Sequence, residues 1–190
     1  MIETGLVILI HQFVFQGMFV TKNIVLRNKI RKQIRGNNKE ATISIAFFVL
    51  FIVVALVMSI LKPPVGQILV LDRFFATISG VVLLLLNLAV SAASLVNLKD
   101  SWRVGVIENQ KTDLISSGIY RFTRNPYFLS YLLMFLAYTV ILQNIILLGL
   151  SIFNFIFIHK MILREEKYLY AVHGADYIQY KRKVPRYIFI

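Results

Sequence analysis

The sequence predicts an all-α integral membrane protein with five transmembrane helices, the last two forming a helical hairpin followed by a cytoplasmic C-terminal helical segment. Of the 190 residues, 58% are apolar and 16% are charged, whereas soluble domains average about 45–50% and about 25%. The apolar residues are concentrated in uncharged runs long enough to cross a bilayer. The five-span arrangement also places 19 of the 21 Lys and Arg residues on one side, in agreement with the positive-inside rule.

Charge and rare residues exclude several classes of function. The net charge of +12 would favour nucleic-acid binding only if it formed a basic face on a soluble fold, so the bilayer and not nucleic acid is the predicted partner. The chain has no Cys, which excludes disulfides, thiolate nucleophiles and Cys-ligated metals. The histidines His11, His159 and His173 lack the spacing of a zinc site. No metal site is therefore predicted.

The first apolar run, residues 4–26, is the weakest of the predicted spans because His11, Gln12 and Gln16 interrupt it. These residues include an i, i+4 pair, so they share a helix face that should contact protein rather than lipid. Interhelical hydrogen bonding is favoured over a substrate contact for all three. The run lacks a basic leading segment and a small-residue cleavage site, so no cleavable signal peptide is expected.

Two stronger spans follow. Residues 41–61 are all uncharged and end at the Lys-Pro-Pro sequence at 62–64, where proline cannot continue a helix. Residues 74–98 form the third predicted span. Its Asn87 and Ser91 are an i, i+4 pair, and we expect them to make helix-packing contacts rather than a ligand site.

The uncharged run at residues 127–158 could form one long helix or a hairpin. A single helix would be roughly 48 Å long, well beyond a hydrocarbon core of about 30 Å. A hairpin that turns near Gln143 and Asn144 and ends near Leu163 gives two legs of about 18 residues. It also places three basic segments on one side, residues 22–39, 99–124 and 160–190. The N-terminus is therefore predicted outside, with the C-terminus and the active site in the cytoplasm.

The chain is predicted to have two regions. Residues 1–98 would hold three N-terminal transmembrane helices and the basic cytoplasmic connector, and residues 99–190 the catalytic, cofactor-binding loop, hairpin and C-terminal helices. In the tail, Glu165 and its neighbour are expected to begin a separate helical segment that stops at Gly174. A short helix is expected to follow at residues 176–180.

Three polar features are expected at the cytoplasmic mouth of the hairpin. They are the loop at residues 111–120, the Arg-Asn-Pro-Tyr sequence at 124–127 and the acidic pair Glu165 and Glu166. Because the legs of a hairpin begin and end on the same face, the last two features should lie close together. Adjacent carboxylates beside a bilayer are costly unless cations or hydrogen bonds satisfy them. A ligand site and an ion pair are equally compatible with this pattern; the basic candidates are Arg164, Lys160 and Arg124.

Five motifs occur in order in the second half of the chain. They are Leu-Ile-Ser-Ser-Gly-Ile-Tyr at 114–120, Arg-Asn-Pro-Tyr at 124–127, Glu-Glu at 165–166, Gly-Ala-Asp-Tyr-Ile-Gln-Tyr at 174–180 and Val-Pro-Arg at 184–186. Their order and spacing resemble the membrane methyltransferases of the isoprenylcysteine carboxyl methyltransferase type, which also resemble phospholipid methyltransferases. The resemblance covers roughly residues 98–187, and the predicted five spans are similar to those of the small prokaryotic members.

The resemblance implies a pocket for S-adenosylmethionine under the hairpin, closed by the C-terminal segment, with S-adenosylhomocysteine as the product. A carboxylate there suits a positively charged sulfonium. The cofactor-binding residues that the resemblance implies are Thr112, Asp113, Leu114, Ile115, Tyr120, Asn125, Pro126, Tyr127, Glu165 and Glu166. The candidate substrate-binding residues are Arg124, Met161 and Arg164.

The chain departs from the family pattern at two positions. Asn125 stands where the family has a His, and an amide can donate and accept hydrogen bonds but cannot carry a proton charge. Met161 stands where eukaryotic members have an arginine proposed to hold a substrate carboxylate. Because Met161 is uncharged, it cannot pair with the carboxylate of a prenylcysteine.

The predicted function is S-adenosylmethionine-dependent methyl transfer to a lipophilic acceptor, for which an isoprenoid compound is one candidate. An ionised carboxylate acceptor needs no general base, so no catalytic residue is assigned. An amine or thiol acceptor would need one, and the nearby candidates are Tyr127, Glu165 and Glu166. The alternatives are a phospholipid, amine or thiol methyltransferase of the same fold, an NADPH-dependent membrane reductase and a non-enzymatic membrane scaffold. The oligomeric state is not predicted.

Overall fold

The computed structural model describes residues 4–30, 39–61, 65–102 and 113–188, and all the regular structure in these ranges is helical. This confirms the predicted all-α class. The six α-helices are α1 (Thr4–Ile30), α2 (Lys39–Ile60), α3 (Arg73–Asn97), α4 (Pro126–Leu142), α5 (Ile145–His173) and α6 (Ala175–Lys183). Two short 3-10 helices occupy Lys99–Ser101 and Gly118–Arg121.

Four of the helices, α1, α2, α3 and α5, are long and apolar enough to cross a membrane. This confirms an integral membrane protein. The predicted fourth span corresponds to α4, which is apolar but has only 17 residues, compared with the roughly 20 that a bilayer core needs. The count of five spans therefore remains a prediction. Residues 62–64, where proline was predicted to stop the second span, lie outside the described ranges.

The hairpin turns at the predicted position. Gln143 ends α4 with a left-handed backbone (φ 44°). The Asn144 side chain caps α5 by accepting hydrogen bonds from the backbone amides of Ile146 and Leu147. The turn also binds the connector between α2 and α3, because the Ile68 amide donates to the Gln143 carbonyl at 2.7 Å. The hairpin and the first half of the chain are thus joined at this end.

Helices α3 and α4 pack closely because a glycine faces α4. A Cβ atom on Gly80 would lie 3.1 Å from the Ala137 carbonyl and would overlap the Ile141 side chain. The main core lies among these helices and their neighbours α1, α2 and α5. Its buried members are Ile8, Phe15, Phe51, Ala55, Leu84, Met134, Phe135, Ala137, Tyr138, Leu147, Ile158 and Ile162.

His11 and Gln12 of α1 and the polar residues of α3 form interhelical hydrogen bonds, as predicted. For Gln16 the prediction was wrong, because its hydrogen bond is to Gln12 within α1 and its side chain lines a cavity. His11 contacts both the Tyr138 hydroxyl (2.7 Å) and Asn87 Oδ1 (2.8 Å). Ser91 donates to the Ser130 hydroxyl at 2.7 Å. A polar group that is buried in a membrane protein is costly without a partner, so these bonds account for the position of His11, Asn87 and Ser91 inside the bundle.

Two predicted boundaries in the chain were wrong. Glu165 does not begin a new segment, because α5 continues without a break from Ile145 to His173. The basic connector does not begin at residue 22, because α1 extends to Ile30. In both cases the helix continues past the end of the apolar run, since helical hydrogen bonding does not need apolar side chains. The predicted stop at Gly174 (φ 50°) is confirmed, and α6 includes the short helix expected at residues 176–180.

Candidate active site

A cavity of about 450 Å³ lies between α1, α2, α4, α5, α6 and the segment that precedes α4. Its polar end is formed by Asp113, Leu114, Ile115, Tyr120, Arg124, Asn125, Glu165, Glu166, Tyr177 and Tyr180. The remaining lining residues are Gln16, Phe19, Ser44, Ile45, Phe48, Val49, Leu98, Ser101, Trp102, Tyr127, Phe128, Tyr131, Phe135, Asn154, Ile158, Met161, Tyr168 and Leu169. The cavity therefore has one charged end and one largely apolar end.

Glu166 is buried and its carboxylate is occupied by protein groups. Arg186 donates to both oxygens, at 3.0 and 2.9 Å. The Arg124 guanidinium lies 3.3 Å from one of them, so one of the three predicted ion-pair partners is correct. Arg186 was not among the candidates, because the hairpin topology does not show that the residues after α6 fold back onto α5. With two guanidinium groups satisfying it, Glu166 is a structural anchor as well as a lining residue.

The neighbouring carboxylate, Glu165, is in a different situation. It is half-buried and lines the same cavity. Among the residues that the structure describes, it has no hydrogen-bond or ion-pair partner. A carboxylate withdrawn from water without a partner is unfavourable, so this group is suited to a cationic or hydrogen-bond-donating ligand.

Helix α6 lines one side of the cavity through Tyr177 and Tyr180, and the residues that follow it are bonded to the segment before α4. The Arg124 amide donates to the Pro185 carbonyl at 3.0 Å, and the Thr123 hydroxyl donates to the Arg186 carbonyl at 2.9 Å. The Tyr180 hydroxyl donates to the Tyr120 carbonyl at 2.8 Å. Together with the Glu166 ion pairs, these contacts fix the end of the chain across the start of α4.

Asn125 occupies the N-cap of α4 but does not cap it with its side chain. Its amide instead donates to Glu166 Oε1 at 3.4 Å and to the Arg186 carbonyl at 3.3 Å. The following residue, Pro126, is the first residue of α4 and keeps the Asn125 backbone out of the helical conformation. Asn125 thus joins the hairpin to the C-terminal segment at the wall of the cavity.

The tyrosines at the polar end remain neutral hydroxyl donors. Burial, with the nearby Glu165 charge, raises the pKa of Tyr120 well above its usual value. Burial and the Glu166 charge raise the pKa of Tyr177 to about 12. Burial also raises the pKa of Tyr180. None of the three is therefore ionised at neutral pH, and none is a ready general base.

The cavity extends far into the helical bundle. Asn154 and Ile158 line it from α5, and Asn154 precedes Glu166 by twelve residues, a distance of about 18 Å along a helix. Phe48 of α2 and Phe135 of α4 line the same region. A ligand that fills the cavity would therefore contact both charged groups and deeply placed apolar side chains.

Most of the residues predicted for the site lie together. The cavity is lined by Asp113, Leu114, Ile115, Tyr120, Arg124, Asn125, Tyr127, Met161, Glu165 and Glu166. Pro126 is buried but does not line it. Arg164 is exposed on the surface and is not a lining residue, and Thr112 lies outside the described ranges.

Sequence reasoning did not find several lining residues on the N-terminal helices. Gln16 and Phe19 of α1 and Ser44 of α2 contribute to the cavity. Trp102 also lines it and donates to Asn23 Oδ1 at 2.8 Å. Only Gln16 carried a sequence signal, as a polar residue inside an apolar span. The cavity thus draws on both sides of the predicted division at residue 98, which itself remains a prediction.

Comparison with known proteins places these features in a family. Residues 75–176 match the phospholipid methyltransferase family. A protein-S-isoprenylcysteine O-methyltransferase from Xenopus laevis is 31% identical over 84 residues, which are 42% of this chain and 29% of that protein. The chain thus covers less than a third of that relative's length. Because the family match covers just over half of the chain, this protein belongs to the phospholipid methyltransferase family of membrane methyltransferases.

Proposed function

We propose that this protein transfers a methyl group from S-adenosylmethionine to a lipophilic acceptor at the membrane. The observation that carries the proposal is the single cavity in which a charged end and a deep apolar end meet. A hydrophilic donor and an amphiphilic acceptor need these two environments side by side. Holding both reactants in one geometry is itself a large source of rate enhancement.

The charged end fits S-adenosylmethionine. Glu165 is unpartnered among the described residues, and Asp113 adds a second carboxylate; both would attract a ligand that carries an ammonium and a sulfonium. The cavity volume of about 450 Å³ lies in the usual range for small-molecule sites, about 300–1,000 Å³. When bound, the cofactor would supply an electrophilic methyl group. The protein's residues would bind the two reactants, orient them and exclude water from the cavity.

Glu165 is proposed as the main anionic contact to the cofactor. Glu166 would contribute mainly by holding Arg124 and Arg186 in place, since both already bind it. Around them, the proposed cofactor contacts are Asp113, Leu114, Ile115, Tyr120, Asn125, Pro126 and Tyr127. Thr112 also stays a proposed contact, from the resemblance alone. Pro126 would act by positioning the backbone, because its side chain does not line the cavity.

The acceptor is proposed to lie along the apolar part of the cavity with its polar head near Arg124. The Arg124 Nε atom is buried and has no hydrogen-bond partner in the described ranges, so it is available to an oxygen of the acceptor or the cofactor. Met161 lines the cavity and offers apolar contact. Arg164 is exposed and, on this geometry, is dropped as a substrate contact.

The topology is proposed to have five spans, with α4 as a short one supported by its packing on α3. At 17 residues and 1.5 Å per residue, α4 is about 26 Å long, and a bilayer can thin locally to match a short helix. The N-terminus would lie outside and the cavity mouth in the cytoplasm, because the basic residues cluster at the cavity end of the bundle. Accessibility labelling of single cysteines, introduced into this Cys-free chain, would test the orientation.

The direct test of the proposed function is calorimetric titration of the purified protein with S-adenosylhomocysteine and, separately, with NADPH. We expect binding of S-adenosylhomocysteine alone. Binding of NADPH alone would instead support a reductase, and folded protein that binds neither would contradict any role with these cofactors. Transfer of labelled methyl into total lipids and prenylated thiol acids would then identify the acceptor.

A further inference from the structure

Three polar side chains line the cavity outside its charged end, among mainly apolar residues. They are Gln16 on α1, Ser44 on α2 and Asn154 on α5. From their geometry we infer that the acceptor is an amphiphile with a hydrogen-bonding group, such as a hydroxyl, within its lipophilic chain. This inference rests on the proposed function and names its substrate class. A plain hydrocarbon chain would leave these polar groups unsatisfied, which is costly.

Gln16 is held in place by a directed series of hydrogen bonds. Asn87 donates through Nδ2 to the Ser130 carbonyl, so its Oδ1 is an acceptor and His11 Nε2 must donate to it. In a neutral imidazole, Nδ1 then accepts the Tyr138 hydroxyl proton. The orientation of the Asn87 amide thus assigns the donor and acceptor roles in the first half of the series, where the Tyr138 hydroxyl also lies 3.5 Å from the Ile8 carbonyl.

The second half of the series leads to the cavity. The Tyr138 oxygen accepts from Gln12 Nε2 at 2.9 Å, and Gln12 Oε1 accepts from Gln16 Nε2 at 3.4 Å. Gln16 therefore uses one N–H inside the bundle and retains its carbonyl oxygen and its second N–H. Since the side chain lines the cavity, these two atoms are available to a ligand.

Asn154 and Ser44 have unused hydrogen-bonding capacity of the same kind. Asn154 is 2% exposed, and its Nδ2 donates back to the Leu150 carbonyl at 2.9 Å. That bond leaves Oδ1 without a partner within the described ranges. The Ser44 hydroxyl is also buried and makes no hydrogen bond there. Buried polar atoms are normally paired. The unpaired Ser44 hydroxyl, together with the remaining hydrogen-bonding capacity of Asn154 and of the half-exposed Gln16, therefore indicates a polar ligand group in the cavity.

The position of these groups sets where the ligand's polar group must lie. Gln16 precedes Arg27, near the basic end of α1, by eleven residues, or about 16 Å of helix. Asn154 precedes Glu166 by about 18 Å. A polar group that reached Gln16 and Asn154 would therefore be well along the chain from a head bound near Arg124. A headgroup alone would not reach them.

Trp102 provides a direct measurement of binding. It is the sole Trp in the chain and it lines the cavity, so its fluorescence should change when the cavity fills. The probes are octadecanoic acid and the same acid with a mid-chain hydroxyl, added to the purified protein in detergent micelles. Their carboxylate suits the free Arg124 Nε–H. We expect the wild-type protein to bind the hydroxylated acid about tenfold more tightly than either cavity variant below does.

The two variants remove the polar groups independently. Gln16→Leu and Asn154→Leu should each lower affinity for the hydroxylated acid about tenfold and leave affinity for the plain acid unchanged. Ser151→Ala serves as the control, because Ser151 bonds Thr139 between α4 and α5 and does not line this cavity. It should change neither affinity. Because the two variants are on separate helices, a loss of affinity in both is not explained by misfolding of a single variant.

The outcomes separate this inference from the proposed function. If wild-type and both variants distinguish the two acids equally, or if no form binds either acid, the inference is wrong. Titration with S-adenosylhomocysteine on the same samples tests the donor site separately. Failure of that ligand to bind would refute the proposed methyl transfer, whereas its binding without any preference for the hydroxylated acid would refute only the acceptor class.

Discussion

The two ends of the α4–α5 hairpin are both polar, but their polar groups are used differently. At the turn, the Gln143 side-chain oxygen accepts from the amides of Val70 and Leu71, and its Nε2 donates to the Leu71 carbonyl. The Asn144 side chain also donates to Val65 and accepts from two amides of α5. Each side-chain oxygen and nitrogen of these two residues therefore has a protein partner, and these bonds hold the turn against the α2–α3 connector.

The cavity end retains unsatisfied groups. Within the described part of the chain, Glu165 has no partner, and neither the Arg124 Nε atom nor the Ser44 hydroxyl makes a hydrogen bond. Burial without pairing costs free energy, so the cavity end holds groups that a ligand could satisfy. Among the described residues, neither Gln143 nor Asn144 has a buried side-chain atom without a partner. Within the cavity itself the same contrast recurs between the engaged Glu166 and the open Glu165.

The largest expected effect is the loss of stability on removal of the Glu166 carboxylate. Glu166→Ala would leave Arg124 and Arg186 without their anion, and breaking a buried ion pair costs about 3–5 kcal/mol. Unfolding in mixed micelles should show this loss, together with faster proteolysis after α6. Glu165→Ala is the matched control and should cost far less stability. Equal losses for both variants would contradict the distinction between the two glutamates.

The carboxylate of Glu165 should contribute to cofactor binding rather than to stability. Glu165→Gln keeps the shape but removes the charge, and a hydrogen bond to a charged group contributes about 2 kcal/mol. Affinity for S-adenosylhomocysteine should therefore fall about thirtyfold, with little change in unfolding. Calorimetry measures this, and Asp176→Asn on α6, which does not line the cavity, should have no effect. An unchanged affinity would show that Glu165 does not contact the cofactor.

A substitution at the turn should lower stability without changing cofactor affinity, the reverse of the effects expected for Glu165→Gln. Gln143→Leu removes three hydrogen bonds and leaves two backbone amides to find other partners, which we expect to cost about 1–2 kcal/mol of stability. Cofactor affinity should stay at the wild-type value, because Gln143 is at the far end of α4 from the cavity mouth. A drop in affinity would show that the two ends are coupled.

The smallest effect is expected at Asn125. Its amide donates over long distances, 3.4 Å to Glu166 and 3.3 Å to the Arg186 carbonyl, and both acceptors have other donors. Asn125→Ala should therefore cost less than about 1 kcal/mol, seen as a small shift in thermal melting. A loss as large as that of Glu166→Ala would mean that Asn125, rather than Arg186, secures the C-terminal segment.

The amino-acid sequence by itself determined the helical membrane class, the position of the hairpin turn and the stop at Gly174. Each of these depends on a local property: the length of an uncharged run, polar residues within it, or a residue that tolerates positive φ. Local rules were less successful at the ends of helices. The uncharged run ends at residue 158 but α5 continues to His173, because the backbone hydrogen bonds continue into polar sequence.

Only the tertiary structure decided what the polar residues do. Glu165 and Glu166 are consecutive residues of the same type, yet only Glu166 is bound by Arg124 and Arg186. The reason is that successive side chains on a helix point about 100° apart. Gln16 and Asn154 are likewise far apart in sequence and line one cavity only because α1 and α5 pack around it. Burial and pairing depend on contacts between segments that are distant in sequence. The roles of Glu166, Glu165 and the polar groups deep in the cavity could therefore be distinguished only in the folded chain.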